Sequence, residues 1–325
     1  MQKEPILTVE DLRTYFFTRT GVVKAVDGIS FELNEGETLG IVGESGSGKS
    51  MTAWSILGLV PKPAGRIVSG RIIYQGENLL EKSSGEMREI RGSGICMVMQ
   101  DPLTSLNPVF NIGNQIIESL REESDEPVRT LREKAAELLA KVHIPAPETR
   151  LAAYPHQMSG GMRQRVVGAI SISRSPDLLI ADEPTTSLDA TIQLQYLRLL
   201  KDLQSQTGAA IIFITHDFGI VARMCDRVAV MYAGKIVEQA GVEELFDRPS
   251  HPYTEALLQS VPDLDTDVDL LPSIEGQPPS LDDLPEGCSF APRCPYVFDK
   301  CSEYPSEFPI EPGHLASCWR HHDAG

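Results

Sequence analysis

The chain has 325 residues and a mass of 35.7 kDa, enough to bury one substantial core and carry an appended module, and its 41% hydrophobic and 23% charged composition excludes disordered and fibrous classes. A formal charge of −17 and an isoelectric point near 4.8 work against a nucleic-acid partner, because phosphate backbones are bound chiefly by clustered Lys and Arg. No run of about 18 or more apolar residues occurs and the N-terminus lacks a basic-then-apolar secretory pattern, so a cytosolic chain is expected, serving any membrane process from a separate spanning subunit.

In chain order, LTVEDLRTYFF and VVKAVDGISFEL alternate β-branched and aromatic residues between turn residues, which predicts two strands of an N-terminal antiparallel layer. ETLGIVGESGSGKSMTAWSILGLV follows as a short apolar strand, a glycine-rich loop and a helix. Residues from about 100 to 175 change character to a helical insertion, in which VRTLREKAAELLAKV places Val128, Leu131, Leu138, Leu139 and Val142 on one face. DLLIADEP and AAIIFITHD then read as apolar strands separated by a helix over Ala190 to Gln206, the alternation of a parallel α/β sheet. A hairpin is expected in RVAVMYAGKIVEQA, turning at Ala233-Gly234. After His251-Pro252-Tyr253 a Pro- and Asp-rich stretch reads as a linker to a cysteine-bearing tail. These features predict an α/β fold with domains at 1–250 and 251–325.

Gly43-Glu44-Ser45-Gly46-Ser47-Gly48-Lys49-Ser50 matches the phosphate-binding loop G-x-x-x-x-G-K-S/T, between a strand and a helix as that motif requires. Its glycines let successive backbone N–H groups converge on phosphates, and the helix N-terminus adds partial positive charge. Lys49 is expected to reach the β and γ phosphates of ATP, and Ser50 to place its hydroxyl on Mg²⁺. Leu178-Leu179-Ile180-Ala181-Asp182 sets a carboxylate at the end of a buried strand, where Asp182 is expected to serve Mg²⁺ and the adjacent Glu183 to polarise the attacking water.

Ser159-Gly160-Gly161-Met162-Arg163-Gln164-Arg165 opens a helix and resembles the signature motif of ABC ATPases. The resemblance runs over residues 1 to about 250 in the family's order. Gln100 resembles the Q-loop glutamine, which also approaches Mg²⁺; Ser187-Leu188-Asp189 resembles the D-loop; His216 resembles the switch histidine at the γ-phosphate. Phe16, with Tyr15 the alternative, stands where the family stacks adenine on an aromatic ring. The resemblance implies a P-loop ATPase whose two copies or subunits face head to tail, each ATP held by one phosphate loop and the opposing signature.

Of six cysteines, four lie in the tail as Cys288, Cys294, Cys301 and Cys318, and two, Cys96 and Cys225, fall in the ATPase region. In a cytosolic chain such clustering favours a metal site over disulfides, and the missing C-x2-C pairs make zinc the lesser candidate. GCSFAPRCPYVFDKC, HLASC and HPYTEALLQSVP resemble the C-terminal extension of ATPase subunits from oligopeptide/dipeptide ABC importers, a group that also carries nickel or sugars. That resemblance implies a four-iron four-sulfur cluster on the four cysteines. It also implies a second ATPase subunit in a heterodimer, two transmembrane permease subunits and an extracytoplasmic substrate-binding protein, with the chain on the cytoplasmic face of the membrane. A DNA- or ribosome-directed ABC ATPase is the alternative of another class, but long coiled coils and basic arms are missing from the sequence.

Overall fold

Why the chain begins as a sheet is visible in its burial pattern: along β1 (Leu7–Phe17), Leu7, Val9, Leu12 and Thr14 point inward while their neighbours stay at least partly exposed. A computed structural model describes residues 5–100, 105–122, 124–186, 188–261 and 273–322. Contacts divide the chain into two compact units, one of Met1–Glu81 with Phe213–Gly325 and one of Lys82–Ile212.

In the first unit, β1 lies antiparallel to both β2 (Val22–Leu33) and β4 (Gly65–Tyr74), and with β5 (Glu77–Asn78) the order is β2-β1-β4-β5. The register slips on both sides of Asp11, which takes a left-handed φ of 41°, so β1 carries a bulge. The other sheet of this unit starts from β3 (Thr38–Val42), buried at every residue and parallel to β9 (Arg227–Tyr232). β9 turns through Ala233 and Gly234, both at positive φ, into β10 (Lys235–Gly241), the geometry of a tight hairpin. β10 in turn pairs with β12 (His314–Ala316), and β12 with β11 (Phe308–Glu311), so the tail is built into the same sheet as the ATPase strands.

In the second unit, β6 (Ile95–Val98) runs parallel to β7 (Leu178–Asp182), which is buried throughout and ends on an acid. Around this pair lie the helices Ser84–Ser93, Ile112–Arg121, Val128–Lys141, Gly160–Ile172 and Ala190–Thr207. The expected face of Val128–Lys141 is realised by Leu131, Leu138 and Leu139, continued by Val142, but not by Val128, which is 54% exposed. Val128 opens the helix directly after Pro127, at the end that the apolar stripe does not reach. β8 (Ala210–Thr215) is apolar and buried, and the division between the units falls within it. Among the described residues no helix is long and apolar enough to cross a membrane.

Candidate active site

The phosphate loop spans the gap between β3 and the helix Lys49–Ile56 in the first unit. Gly48 caps that helix with φ 108°, and a Cβ there would sit 2.4 Å from the Ala25 carbonyl oxygen, so only glycine fits. At Gly46, φ 80°, an added Cβ would meet nothing within 4 Å: the face of the loop is open at its tip. The Ser47 N–H donates to the Glu44 carbonyl at 3.2 Å and closes the turn, while the buried Ser47 hydroxyl finds no acceptor or donor among the described residues. Lys49, only 5% exposed, donates from Nζ to the carbonyls of Gly43 at 2.8 Å and Glu44 at 3.0 Å. An ammonium held beside a helix N-terminus, on a loop open at Gly46, has the chemistry that suits an oligophosphate anion. The residues present therefore fit a nucleotide.

Two more expected residues belong to this unit. His216 is exposed at the end of β8, one residue before Asp217, which caps the following helix. Phe16 is half-buried opposite Val23 and Gly65, whereas the Tyr15 hydroxyl donates to Asp27 at 2.5 Å. Burial and that bond push the Tyr15 hydroxyl above its usual range, and the bond commits Tyr15 to Asp27.

The second unit holds the acids and the signature. Asp182 ends β7 at 5% exposure, and Glu183 follows in a left-handed conformation, φ 45°, a strained backbone for a residue with a side chain. The Glu183 carboxylate accepts from the Gln100 side-chain amide at 2.9 Å and from the Thr186 hydroxyl at 3.0 Å. Two candidates 83 positions apart in sequence are thus joined directly. Ser159 caps the helix Gly160–Ile172, accepting from the Met162 N–H at 3.3 Å, and a Cβ on Gly160 would meet open space. Gly161 has no such room: its Cβ would lie 2.7 Å from Ile192 Cγ2. Ile192 sits in the first turn of the helix capped by Asp189, whose carboxylate accepts from the N–H groups of Thr191 and Ile192. The signature turn and the D-loop residue Asp189 are therefore one packed assembly; Ser187 lies outside the described residues, as do the four positions after Gln100.

The description ABC transporter matches residues 26–186, and the description Oligopeptide/dipeptide transporter, C-terminal region, matches 237–301. The chain is 52% identical over 326 aligned residues to a "Probable peptide ABC transporter ATP-binding protein" of Sinorhizobium fredii, covering 98% of this chain and 97% of that one. The chain belongs to the ATP-binding subunits of ABC transporters. A further relative is the oligopeptide transport ATP-binding protein AppD of Bacillus subtilis, 47% identical with 98% of each chain covered. Among solved structures, cbiO1 of Clostridium perfringens, part of the ABC transporter complex cbiONQ, matches with a TM-score of 0.65 at 28% identity, over 76% of this chain and 92% of that one. An ATP-binding cassette dimer bound to ADP and Pi matches at a TM-score of 0.66 and 23% identity, over 73% and 98%, which adds the fold alone.

This ABC subunit is an ATPase, and its tail holds four thiols around one cavity: Cys288, Cys294, Cys301 and Cys318 all line it, beside Phe290 and Trp319. The Cys288 N–H donates to the Cys301 carbonyl at 3.0 Å, and all six cysteines are free thiols. Burial pushes the Cys288 thiol up to about 11, with Cys301 and Cys318 adding to the rise, and lifts Cys294 and Cys318 as well. Among the described residues no group of three or more His, Cys, Asp or Glu is arranged to hold a metal ion. The expected iron–sulfur cluster is therefore not supported by a ready ligand set. Instead, four partly buried thiols line a common space.

Proposed function

We propose that this ABC ATPase energises the import of di- and oligopeptides across the cell membrane. The cargo reading is carried by the C-terminal region it shares with oligopeptide/dipeptide transporters and by relatives named for peptide and oligopeptide transport. The motor reading is carried by Glu183, an acid in strained backbone at a strand end, oriented by Gln100 and Thr186. In this reading residues 1–250 form the ATPase, with the helical insertion at about 100–175 meeting the membrane partner, and 251–325 are an appended extension.

The roles follow residue by residue. Backbone N–H groups from Ser45 to Ser50 and the Lys49 ammonium hold the phosphates, and Phe16 stacks the adenine. Ser50, Asp182 and Gln100 serve Mg²⁺, whose chemistry is to neutralise developing phosphate charge. Glu183 accepts the proton of the attacking water, His216 contacts the γ-phosphate, and Ser159, Gly160, Gly161 and Asp189 serve the ATP of an opposing subunit. The partners are a second ATPase subunit in a heterodimer, two transmembrane permeases and an extracytoplasmic substrate-binding protein, which places this chain on the cytoplasmic face.

An iron–sulfur cluster remains part of the proposal because four thiols share one cavity. Its loading would have to remove protons that burial holds in place. Anaerobic purification with iron and sulfide analysis tests it; iron at background in wild type and in Cys288→Ser alike would end it.

The test of the function is uptake of labelled di- and oligopeptides with the membrane and binding-protein genes co-expressed, in wild type and Glu183→Gln. Peptide uptake lost in the variant supports the reading; uptake of nickel or sugar alone would keep the motor and replace the cargo.

A further inference from the structure

Arg293 lies in the tail, immediately before Cys294 and 249 positions after Glu44, the second residue of the phosphate loop. Its guanidinium meets the Glu44 carboxylate as a fork on a fork: Nη1 donates to Oε2 at 2.7 Å and Nη2 to Oε1 at 3.0 Å. The remaining donors are engaged too, Nε with the Glu275 carbonyl at 3.0 Å and Nη1 with the Tyr232 hydroxyl at 3.3 Å. The Arg293 side chain is only 4% exposed, against 27% for Glu44, and its guanidinium lies 5.9 Å from the ring centres of both Tyr232 and Phe290. A charge this deep persists only with its counter-charge in place.

A second hold acts on the same residue. The Glu44 N–H donates to the Tyr253 hydroxyl at 2.8 Å, and Tyr253 is fully buried against Tyr232 and Phe290. Side chain and amide of Glu44 are both tied by residues beyond position 250, while its carbonyl receives Lys49 Nζ and the Ser47 N–H. The tail thus grips the loop at a residue whose carbonyl, beside that of Gly43, receives Lys49 and also closes the turn to Ser47.

We propose that Arg293, seconded by Tyr253, is a positioning residue for ATP: by fixing Glu44 it presets the loop amides and Lys49 for the phosphates. This rests on the reading of Gly43–Ser50 as the ATP site. Because the loop holds phosphate before and during the reaction alike, the effect falls on nucleotide affinity and KM, with kcat little changed. A tail that only stabilised the fold would lower the thermal midpoint and the active fraction and leave KM where it was.

The test is equilibrium binding of a fluorescent ATP analogue to the full chain, with KM and kcat measured in the assembled transporter, for Arg293→Ala, Arg293→Lys, Glu44→Gln and the Arg293→Ala/Glu44→Gln pair. Arg293→Ala and Glu44→Gln each raise the Kd by about tenfold, Arg293→Lys restores part of the loss, and the double variant is little worse than either single one. A Kd for Arg293→Ala within about twofold of wild type, with a lowered thermal midpoint, overturns the proposal. Where Arg293→Ala does not fold, Tyr253→Phe and Glu44→Gln carry the test, and unchanged affinity in both overturns it. Lys49→Ala is the control: if it abolishes binding while the others do nothing, the positioning role alone falls, and if it too binds normally, the ATP-site reading falls and takes this proposal with it.

Discussion

Gln100 gives its side-chain amide to the Glu183 carboxylate at 2.9 Å, and Thr186 gives its hydroxyl at 3.0 Å to the same oxygen, so one acid oxygen is fixed by two donors. If Glu183 is the base of the proposed reaction, these two bonds set its orientation. Glu183→Gln should lower single-turnover ATP cleavage by at least about a hundredfold while nucleotide binding persists. Gln100→Ala, which removes one of the two donors, should cost about tenfold in the same assay. Rapid-quench measurement of labelled ATP checks both.

Gly161 faces Ile192 so closely that a methyl group at position 161 would lie 2.7 Å from Cγ2. Gly161→Ala should therefore cost about 1–3 kcal/mol of stability by overpacking. Ile192→Ala placed on top should recover part of that loss, since it removes the opposing atom. Urea unfolding of the two single variants and the pair measures the coupling.

Buried His251 accepts the Tyr253 N–H on Nδ1 at 3.0 Å, a bond that a protonated ring could not accept, and burial pushes its pKa down to about 4. Glu238 pulls the other way, while Arg320 and His321 add to the depression. The unfolded chain takes up this proton near pH 6.5 and the folded one only near 4, so the stability is fully present above the first value and is lost as pH falls toward the second. Unfolding from pH 7.5 to 4.5 should show a loss of about 3 kcal/mol from this group. His251→Asn, which keeps a capping oxygen without the titration, should flatten the slope in that window.

The thiol of Cys288, held near 11 by burial, is protonated at neutral pH. Its alkylation by iodoacetamide at pH 7.5 should run at least about tenfold slower in the native chain than in urea. Mass spectrometry of the labelled tail peptide reads the rate.

Local pattern made much of this legible. β1 and β2 lie where alternation predicts them, β9 and β10 meet at the expected Ala233-Gly234 turn, and the phosphate loop sits between strand and helix. β4 escapes such reading because Ser69 and Gly70 interrupt its apolar run, and its strand character comes from pairing with β1. β11 and β12 are too short to carry a period and exist through their ladder to β10. Val128 shows the converse: helical spacing names a face but not where burial along it stops. Arg293 leaves no mark in sequence, since a single arginine in a cysteine-rich tail gains its meaning only from a carboxylate 249 positions upstream.

The ladder between β10 and β12 has a consequence for how the chain comes into being. β10 offers its outer row of amides and carbonyls at Glu238 and Gln239, and the strand that satisfies them, ending at Ala316, leaves the ribosome some 75 residues later. During that interval the nascent sheet has an open border next to β9, which is apolar and buried after Arg227. At translation speeds of roughly 5–20 residues per second the border waits for several seconds, long enough to meet another nascent copy on the same message. Arrival of the tail closes it, which makes the last tenth of the chain the step at which the newborn protein stops being adhesive.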